Sequence, residues 1–117
     1  MFQCKRVYQD VEKSDGYRVL VDRLWPRGIK KADLKLDEWL KVLAPSADLR
    51  RQLHAEQIDF SGFRQAYLQQ LERLDPAIWQ RIVETAARGR VTLLYASRDQ
   101  QHNHARVLQQ FLEGRQS

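Results

Sequence analysis

The sequence has 117 residues, enough for one compact domain around a single core. Its hydrophobic content of 43% excludes a disordered chain, and no apolar run approaches the roughly 20 residues that span a bilayer. The N-terminus MFQCKRVYQD lacks the apolar segment of a secretory signal, and the single cysteine, Cys4, cannot form an internal disulfide. These features predict a cytosolic protein of bacterial type.

Lysine and arginine outnumber aspartate and glutamate by 20 to 15, which gives a net charge of +5. The charge is densest at Arg23, Arg27, Lys30, Lys31 and Lys35, where Asp33 is the one acidic residue. Such a segment favours an anionic partner, whether nucleic acid, nucleotide or phosphate. The alternative is a solvated surface that keeps the protein soluble.

Two strands are predicted before the first helix. Residues 2–8 alternate loosely and indicate a first strand near a sheet edge. A polar turn separates them from YRVLVDRL, residues 17–24, in which apolar side chains fall on both parities. A strand that is apolar on both faces is typical of an interior position in a largely parallel sheet.

Four helices are predicted between the second strand and the last one. The spacing of Leu36, Trp39, Leu40 and Leu43 predicts an amphipathic helix that ends at Pro45. Ser46 is the predicted cap of a short helix, and Asp75-Pro76 is a typical start of another. Between them, one apolar stripe indicates a longer helix: Phe60, Phe63, Tyr67, Leu71 and Leu74.

The last strand is RVTLLYAS, residues 90–97, again apolar on both faces, and a final helix follows it. Ser97 and Asp99 are the two candidate caps of that helix. The predicted fold is a single α/β domain over residues 1–117, with helices packed on a short, largely parallel sheet of about three strands. Its predicted order is β-β-α-α-α-α-β-α, without repeat, linker or second domain.

Polar clusters follow two of the predicted strands. Asp22, Arg23, Trp25 and Arg27 follow the second strand, and Ser97, Arg98 and Asp99 follow the last. Ligands of open α/β sheets bind beyond the carboxyl ends of the strands, and arginine binds carboxylate or phosphate in a bidentate manner. If the strands are parallel neighbours, three arginines meet at one edge, and a helix beginning near Gln100 adds free N–H groups.

Each of these residues also has a structural interpretation. Asp22 and Arg23 can form an internal ion pair, Trp25 can cover the core, and Asp99 can cap a helix. Arg98 is the strongest binding candidate, because an arginine at a strand end has no role in the core.

The stretch HNH, residues 102–104, contains two of the three histidines. On a helix, His102 and His104 point about 200° apart, so they cannot chelate one metal ion, and no metal site is predicted. His104 shares a face with Leu108, which favours a half-buried histidine; acid–base work is the alternative. Cys4 has no basic partner in the sequence and is predicted to be an inert, buried thiol.

The segments RVLVDRLWPRG, LDEWLKVLAPS and VTLLYASRDQQHNHA, together with the size, resemble the YeaO-like family of small bacterial proteins, a group labelled as a domain of unknown function. The resemblance covers nearly the whole chain and implies a compact α/β fold, without an established reaction, cofactor or substrate. It also implies that certain residues stand at motif positions: Asp22, Arg23, Trp25, Arg27, Arg98, Asp99, Asn103 and His104.

The chain departs from the family pattern at several polar positions. Ser97, Gln100 and Gln101 stand where the family commonly has an alanine and two glutamates, and Gln70 replaces a glutamate. The stretch near His54 is spaced differently by about one residue. These losses weaken an enzymatic function that depends on acidic residues, and they leave the arginines untouched.

The leading hypothesis is an anion-binding pocket for a nucleotide, a phosphorylated small molecule or a nucleic-acid end. Its ligand-binding residues are Arg23, Arg27, Arg98, Trp25, Asp22 and Asn103, and His104 and Asp99 are the acid–base candidates for any reaction. One alternative is a non-catalytic nucleic-acid-binding or regulatory module that uses the basic segment 23–35. The other is a protein-interaction adaptor in which the arginines are structural. The sequence leaves the identity of any cofactor open.

Overall fold

The computed structural model describes residues 1–116 as one α/β domain, which confirms the predicted fold class. Its elements, in chain order, are β1 (Phe2–Arg6), β2 (Tyr17–Leu20), β3 (Glu38–Trp39), α1 (Ala47–His54), α2 (Phe60–Glu72), α3 (Pro76–Arg88), β4 (Val91–Tyr95) and α4 (His104–Glu113). Short 3-10 turns occupy Lys13–Asp15 and Lys41–Leu43. Among residues 1–116, no helix is both long enough and apolar enough to cross a bilayer.

The strands form one parallel sheet in the order β1-β4-β2-β3. β4 lies between β1 and β2, and every one of its residues is buried. The predicted interior position of β2 and edge position of β1 are both confirmed. The carboxyl ends of β1, β2 and β4 therefore meet at the same edge of the sheet.

The two faces of the sheet are covered differently. Helices α2, α3 and α4 pack on one face, where Val19 and Leu93 join the main core with Phe63, Ile82 and other helix residues. The opposite face carries a smaller cluster that irregular segments cover: Val7, Leu20, Leu34 and Leu94, with Trp25 and Trp39 packed against it. Alternate residues of β2 and β4 thus enter different clusters, as expected for pleated strands.

Side-chain caps begin the three helices in the middle of the chain. Ser46 accepts a hydrogen bond from the Leu49 N–H ahead of α1, and Asp75 accepts one from the Ala77 N–H ahead of α3, both as predicted. Asp59 does the same for α2 by accepting from the Gly62 N–H. Gly89 ends α3 in an extended conformation.

The predicted helix over Leu36–Leu43 is wrong. This segment forms β3 and a 3-10 turn, so the sheet has four strands rather than three and the order is β-β-β-α-α-α-β-α. The apolar residues do not share one face, because Leu36 and Trp39 pack into the smaller cluster whereas Leu40 and Leu43 join the main core. Backbone hydrogen bonds from Asp37 to Arg18 and from Leu40 to Leu20 hold the segment extended beside β2.

The predicted start of the last helix is also wrong. α4 begins at His104, and its cap is Asn103 rather than Ser97 or Asp99. Residues 96–103 form an irregular loop, so no helix begins near Gln100 to supply free N–H groups to a ligand.

Candidate functional site

A cavity of about 810 Å³ opens where β1, β2 and β4 end. The segments that follow these strands, the start of α4 and one side of α1 form its walls. All the residues predicted for the site except Asp99 line it: Asp22, Arg23, Trp25, Arg27, Arg98, Asn103 and His104. The parallel arrangement of β2 and β4 is what brings the two predicted clusters together.

The lining is strongly basic. Asp22 is the one carboxylate among the lining residues, and neither lysine nor glutamate is present among them. Against it stand five arginines: Arg6, Arg23, Arg27, Arg50 and Arg98. Fixed guanidinium groups that outnumber carboxylates produce a positive potential, which a cavity concentrates.

Two of these arginines form hydrogen bonds with backbone carbonyl groups around the cavity. Arg23 donates from Nε and Nη2 to the carbonyl oxygen of Pro45, both at 3.2 Å, and also contacts the carbonyl of Ala44. Arg6 donates from Nε to the carbonyl oxygen of Ser97 at 2.9 Å. Arg23 therefore fixes the segment that enters α1, and Arg6 joins the ends of β1 and β4.

The other three arginines have guanidinium groups without a partner within residues 1–116. The side chains of Arg27, Arg50 and Arg98 make no hydrogen bond or ion pair with any group in residues 1–116, although all three line the cavity. Arg27 and Arg98 are exposed, and Arg50 is half-buried. These are the groups that a bound anion can reach without breaking an existing contact.

Asp22 and His104 meet at the floor of the cavity. Asp22 Oδ2 accepts from the Ala96 N–H at 3.0 Å, which joins the ends of β2 and β4. His104 Nε2 lies 3.0 Å from the carbonyl oxygen of Val21 and 3.1 Å from Asp22 Oδ1. The hydrogen bond goes to Val21, since Asp22 Oδ1 has no hydrogen-bond partner within residues 1–116. The ion pair between Asp22 and Arg23, which is the structural interpretation of these two residues, is not found within residues 1–116.

Trp25 combines a packing role with a place in the cavity wall. Its Nε1 donates to the carbonyl oxygen of Ile29 at 2.6 Å, and its ring meets Trp39 edge-on at 5.3 Å between centroids. The indole is therefore held rigidly beside the smaller cluster while one side of it borders the cavity.

Asp99 and Asn103 order the loop before α4. Asp99 Oδ1 accepts from the backbone N–H groups of His102 and Gln101, both at 2.9 Å. These two hydrogen bonds hold the pKa of Asp99 below its usual range. Asn103 caps α4 by accepting from the Arg106 N–H at 3.0 Å, and its amide nitrogen donates to the carbonyl oxygen of Asp99. Asp99 contacts the loop backbone and does not line the cavity.

The site predicted from the sequence lacks several residues of the lining, among them Arg6, Arg50 and His54. Arg6 is the last residue of β1, so the strand-end argument that selects Arg23 and Arg98 also applies to it. Arg50 and His54 lie four residues apart on α1, hence on one helix face. Only the packing of α1 beside the sheet edge brings that face to the cavity.

Cys4 lies outside this cavity. Its Sγ donates to Oε1 of Gln109 at 3.1 Å, and burial raises the pKa of the thiol to about 12. The thiol therefore stays protonated at neutral pH, which agrees with the inert cysteine predicted from the sequence.

Fold and cavity together define a small parallel α/β domain with an arginine-lined cavity at the carboxyl edge of its sheet. A sequence model of the family described as "Inactive DUF488-N3 subclade" matches residues 1–117, and the chain belongs to this family.

The relatives of the chain confirm the resemblance to YeaO-like proteins. "Uncharacterized protein YeaO" of Escherichia coli is 50% identical over 110 residues, which cover 94% of this chain and 95% of that protein. "Uncharacterized protein Rv3073c" of Mycobacterium tuberculosis and "Uncharacterized protein Mb3100c" of Mycobacterium bovis are each 41% identical over 94% of this chain and 92% of their own length. No solved structure matches the chain significantly.

Proposed function

We propose that this chain is a cytosolic protein that binds an anionic small molecule, such as a nucleotide or another phosphorylated compound, without transforming it. The observation that carries the proposal is the lining of one cavity by five arginines and a single carboxylate. Ligand cavities generally measure about 300–1,000 Å³, a range that includes this one. The description of the family as inactive supports binding rather than a reaction.

In this proposal the guanidinium groups of Arg27, Arg50 and Arg98 bind the anion. Arg23 adds its Nη1 group, which has no partner within residues 1–116, and its other nitrogens hold the segment before α1 in place. The flat indole of Trp25 packs against an apolar part of the ligand. Asp22 and Asn103 support the loops from below through their backbone hydrogen bonds.

His104 and Asp99 are the acid–base candidates that the sequence predicts for any reaction. His104 contacts Asp22 rather than Asp99, and the Asp99 carboxylate is engaged with the loop backbone. Both observations favour binding over acid–base chemistry between these two residues.

The proposal is tested by thermal unfolding of the wild type with phosphate, sugar phosphates, nucleotides and short oligonucleotides. A small-molecule ligand at 100 times its dissociation constant stabilises a protein by about 2.7 kcal/mol. Each of Arg50→Gln and Arg98→Gln removes charge-assisted hydrogen bonds, so each is expected to weaken binding about tenfold or more.

Arg88→Gln is the matched control, because Arg88 is an exposed arginine on α3 that does not line the cavity. It is expected to leave both stability and ligand affinity unchanged. The proposal fails if no anion stabilises the wild type, or if the Arg88 variant loses as much affinity as the two cavity variants.

Nucleic-acid binding through the basic segment 23–35 is the second candidate. Lys30, Lys31 and Lys35 are all exposed, which supports a surface contact with phosphates. None of these three lysines lines the cavity, so they distinguish this candidate from the first, whereas Arg23 and Arg27 belong to both. The adaptor hypothesis gains support from Arg6 and Arg23 alone, since those two arginines are bonded to backbone carbonyls.

A further inference from the structure

The imidazole of His104 contacts the protein through one of its two nitrogens. Its Nε2 lies 3.0 Å from the carbonyl oxygen of Val21, and a carbonyl oxygen can only accept a hydrogen bond. Nε2 therefore carries a hydrogen, which the nearby carboxylate of Asp22 also favours. The ring of Tyr67 packs edge-on against the imidazole at 6.2 Å between centroids and limits its rotation. In a neutral imidazole with hydrogen on Nε2, the other nitrogen is an acceptor.

The other nitrogen, Nδ1, has no hydrogen-bond partner within residues 1–116. Because it is not one of the fully buried side-chain atoms that lack such a partner, it is accessible. The side chain is 13% exposed, and it lines the cavity. Nδ1 is thus an accessible acceptor in a cavity whose arginines offer only donors.

We propose that Nδ1 of His104 accepts a hydrogen bond from a hydroxyl or N–H group of the ligand. This inference rests on the proposed function, and it narrows the ligand to an anion that also carries a hydrogen-bond donor. Hydroxylated phosphates belong to this class, whereas alkyl phosphates do not. The arginines bind the charge and His104 selects the hydroxyl group, because a site with a placed hydrogen-bonding group disfavours analogues that leave this group unpaired.

Ribose 5-phosphate and pentyl phosphate form a suitable pair of probes. Both have five carbons and both are dianions at pH 8. The measured quantity is the ratio of their dissociation constants in the wild type, in His104→Gln and in His54→Gln. In His104→Gln the new amide can still donate toward Val21 but leaves the Nδ1 position empty, and His54 is a second histidine of the same cavity.

The wild type is expected to prefer ribose 5-phosphate, and His104→Gln is expected to lose about tenfold of that preference. His54→Gln should retain it. In the wild type, the 15N resonance of His104 Nδ1 should shift with ribose 5-phosphate and remain unchanged with pentyl phosphate.

An unchanged ratio in His104→Gln, or an Nδ1 resonance that does not respond to ribose 5-phosphate, overturns the inference while leaving anion binding intact. A ratio that falls only in His54→Gln assigns the acceptor to the other histidine and also overturns it. If neither phosphate binds the wild type, the inference is overturned, and the proposed function is then decided by the wider screen of anions. Should His104→Gln not fold, the resonance of the wild-type protein decides.

Discussion

Asp15 is a buried carboxylate on the face of the sheet opposite α2, α3 and α4. Lys5 Nζ lies 3.0 Å from its Oδ1, and Arg18 donates to its Oδ2. Burial alone would raise the pKa of this carboxyl, but hydrogen bonds from the Glu12 N–H, Lys5 and Arg18 outweigh it and the pKa is lowered. A carboxyl with a lowered pKa in the folded state stabilises the fold above its unfolded pKa of about 3.9, and this stabilisation is lost as pH falls toward and below the folded value.

Asp15→Asn is therefore expected to reduce the free energy of unfolding at pH 7 by about 3 kcal/mol, because it leaves the buried Arg18 without a carboxylate partner and leaves Lys5 with Glu12 alone. The variant should also lose less stability than the wild type between pH 5 and pH 3. Urea unfolding across this range measures both effects.

Asp33→Asn serves as the control, since Asp33 is exposed and its side chain makes no ion pair in residues 1–116. If the free energy of unfolding falls equally in the wild type and in Asp15→Asn between pH 5 and pH 3, another group is responsible for the loss of stability in acid.

At the scale of single elements, the sequence predicts correctly those helix starts that depend on local hydrogen bonds. The Ser46 cap and the Asp75-Pro76 start are both found, because a cap depends only on its own first turn. The spacing of the segment Leu36–Leu43 fits a helix, but spacing cannot show that Trp39 and Leu40 pack on opposite faces of a sheet. The two residues of β3 are extended because they pair with β2, and the local sequence pattern holds no information about this pairing.

The loop before α4 illustrates a different difficulty. Ser97, Asp99 and Asn103 are all good caps, so residue preference cannot rank them. The apolar positions of the helix begin only at Ala105, which favours the last of the three. The sequence predicts ligand binding for Asn103 instead, whereas the structure gives both of its amide groups a backbone partner.

Asn103→Ala is expected to cost about 1–2 kcal/mol of stability, because it removes the cap of α4. Asn103→Asp keeps the accepting oxygen and loses only the bond to the Asp99 carbonyl, so its cost should be smaller. Chemical denaturation of the two variants gives the comparison. Equal losses of stability in Asn103→Ala and Asn103→Asp would mean that the capping oxygen does not contribute to the stability of the fold.

At the scale of the whole molecule, parallel topology accounts for how much of the site could be predicted. The strand-end rule gathers the residues after β2 and β4 without knowledge of any contact between side chains. The wall formed by α1 could not be found in this way, because the position of Arg50 depends on bonds from Arg23 to the Ala44 and Pro45 carbonyls. Long-range packing of this kind leaves no periodic signal in the sequence.

The triple variant Lys30→Gln, Lys31→Gln, Lys35→Gln separates the pocket from a nucleic-acid surface. All three side chains are exposed, so stability should change by less than about 0.5 kcal/mol. Binding of small phosphates should be unaffected, because none of these lysines lines the cavity.

If the chain binds nucleic acid through these lysines, the slope of log affinity against log salt should fall by about three units in the triple variant. An oligonucleotide titration at several salt concentrations measures it. An unchanged slope would remove the lysines from any nucleic-acid contact.

The central place of β4 has a consequence for synthesis. β1 and β2 are made early, yet both pair with β4, whose last residue is Tyr95. Until that residue has left the ribosome, β2 and β3 form the one strand pair available among residues 1–116. β1 and β2 therefore lack this shared neighbour until β4 has been synthesised, and such non-local pairing forms slowly. The edge that lines the cavity is thus assembled only after β4 has been synthesised.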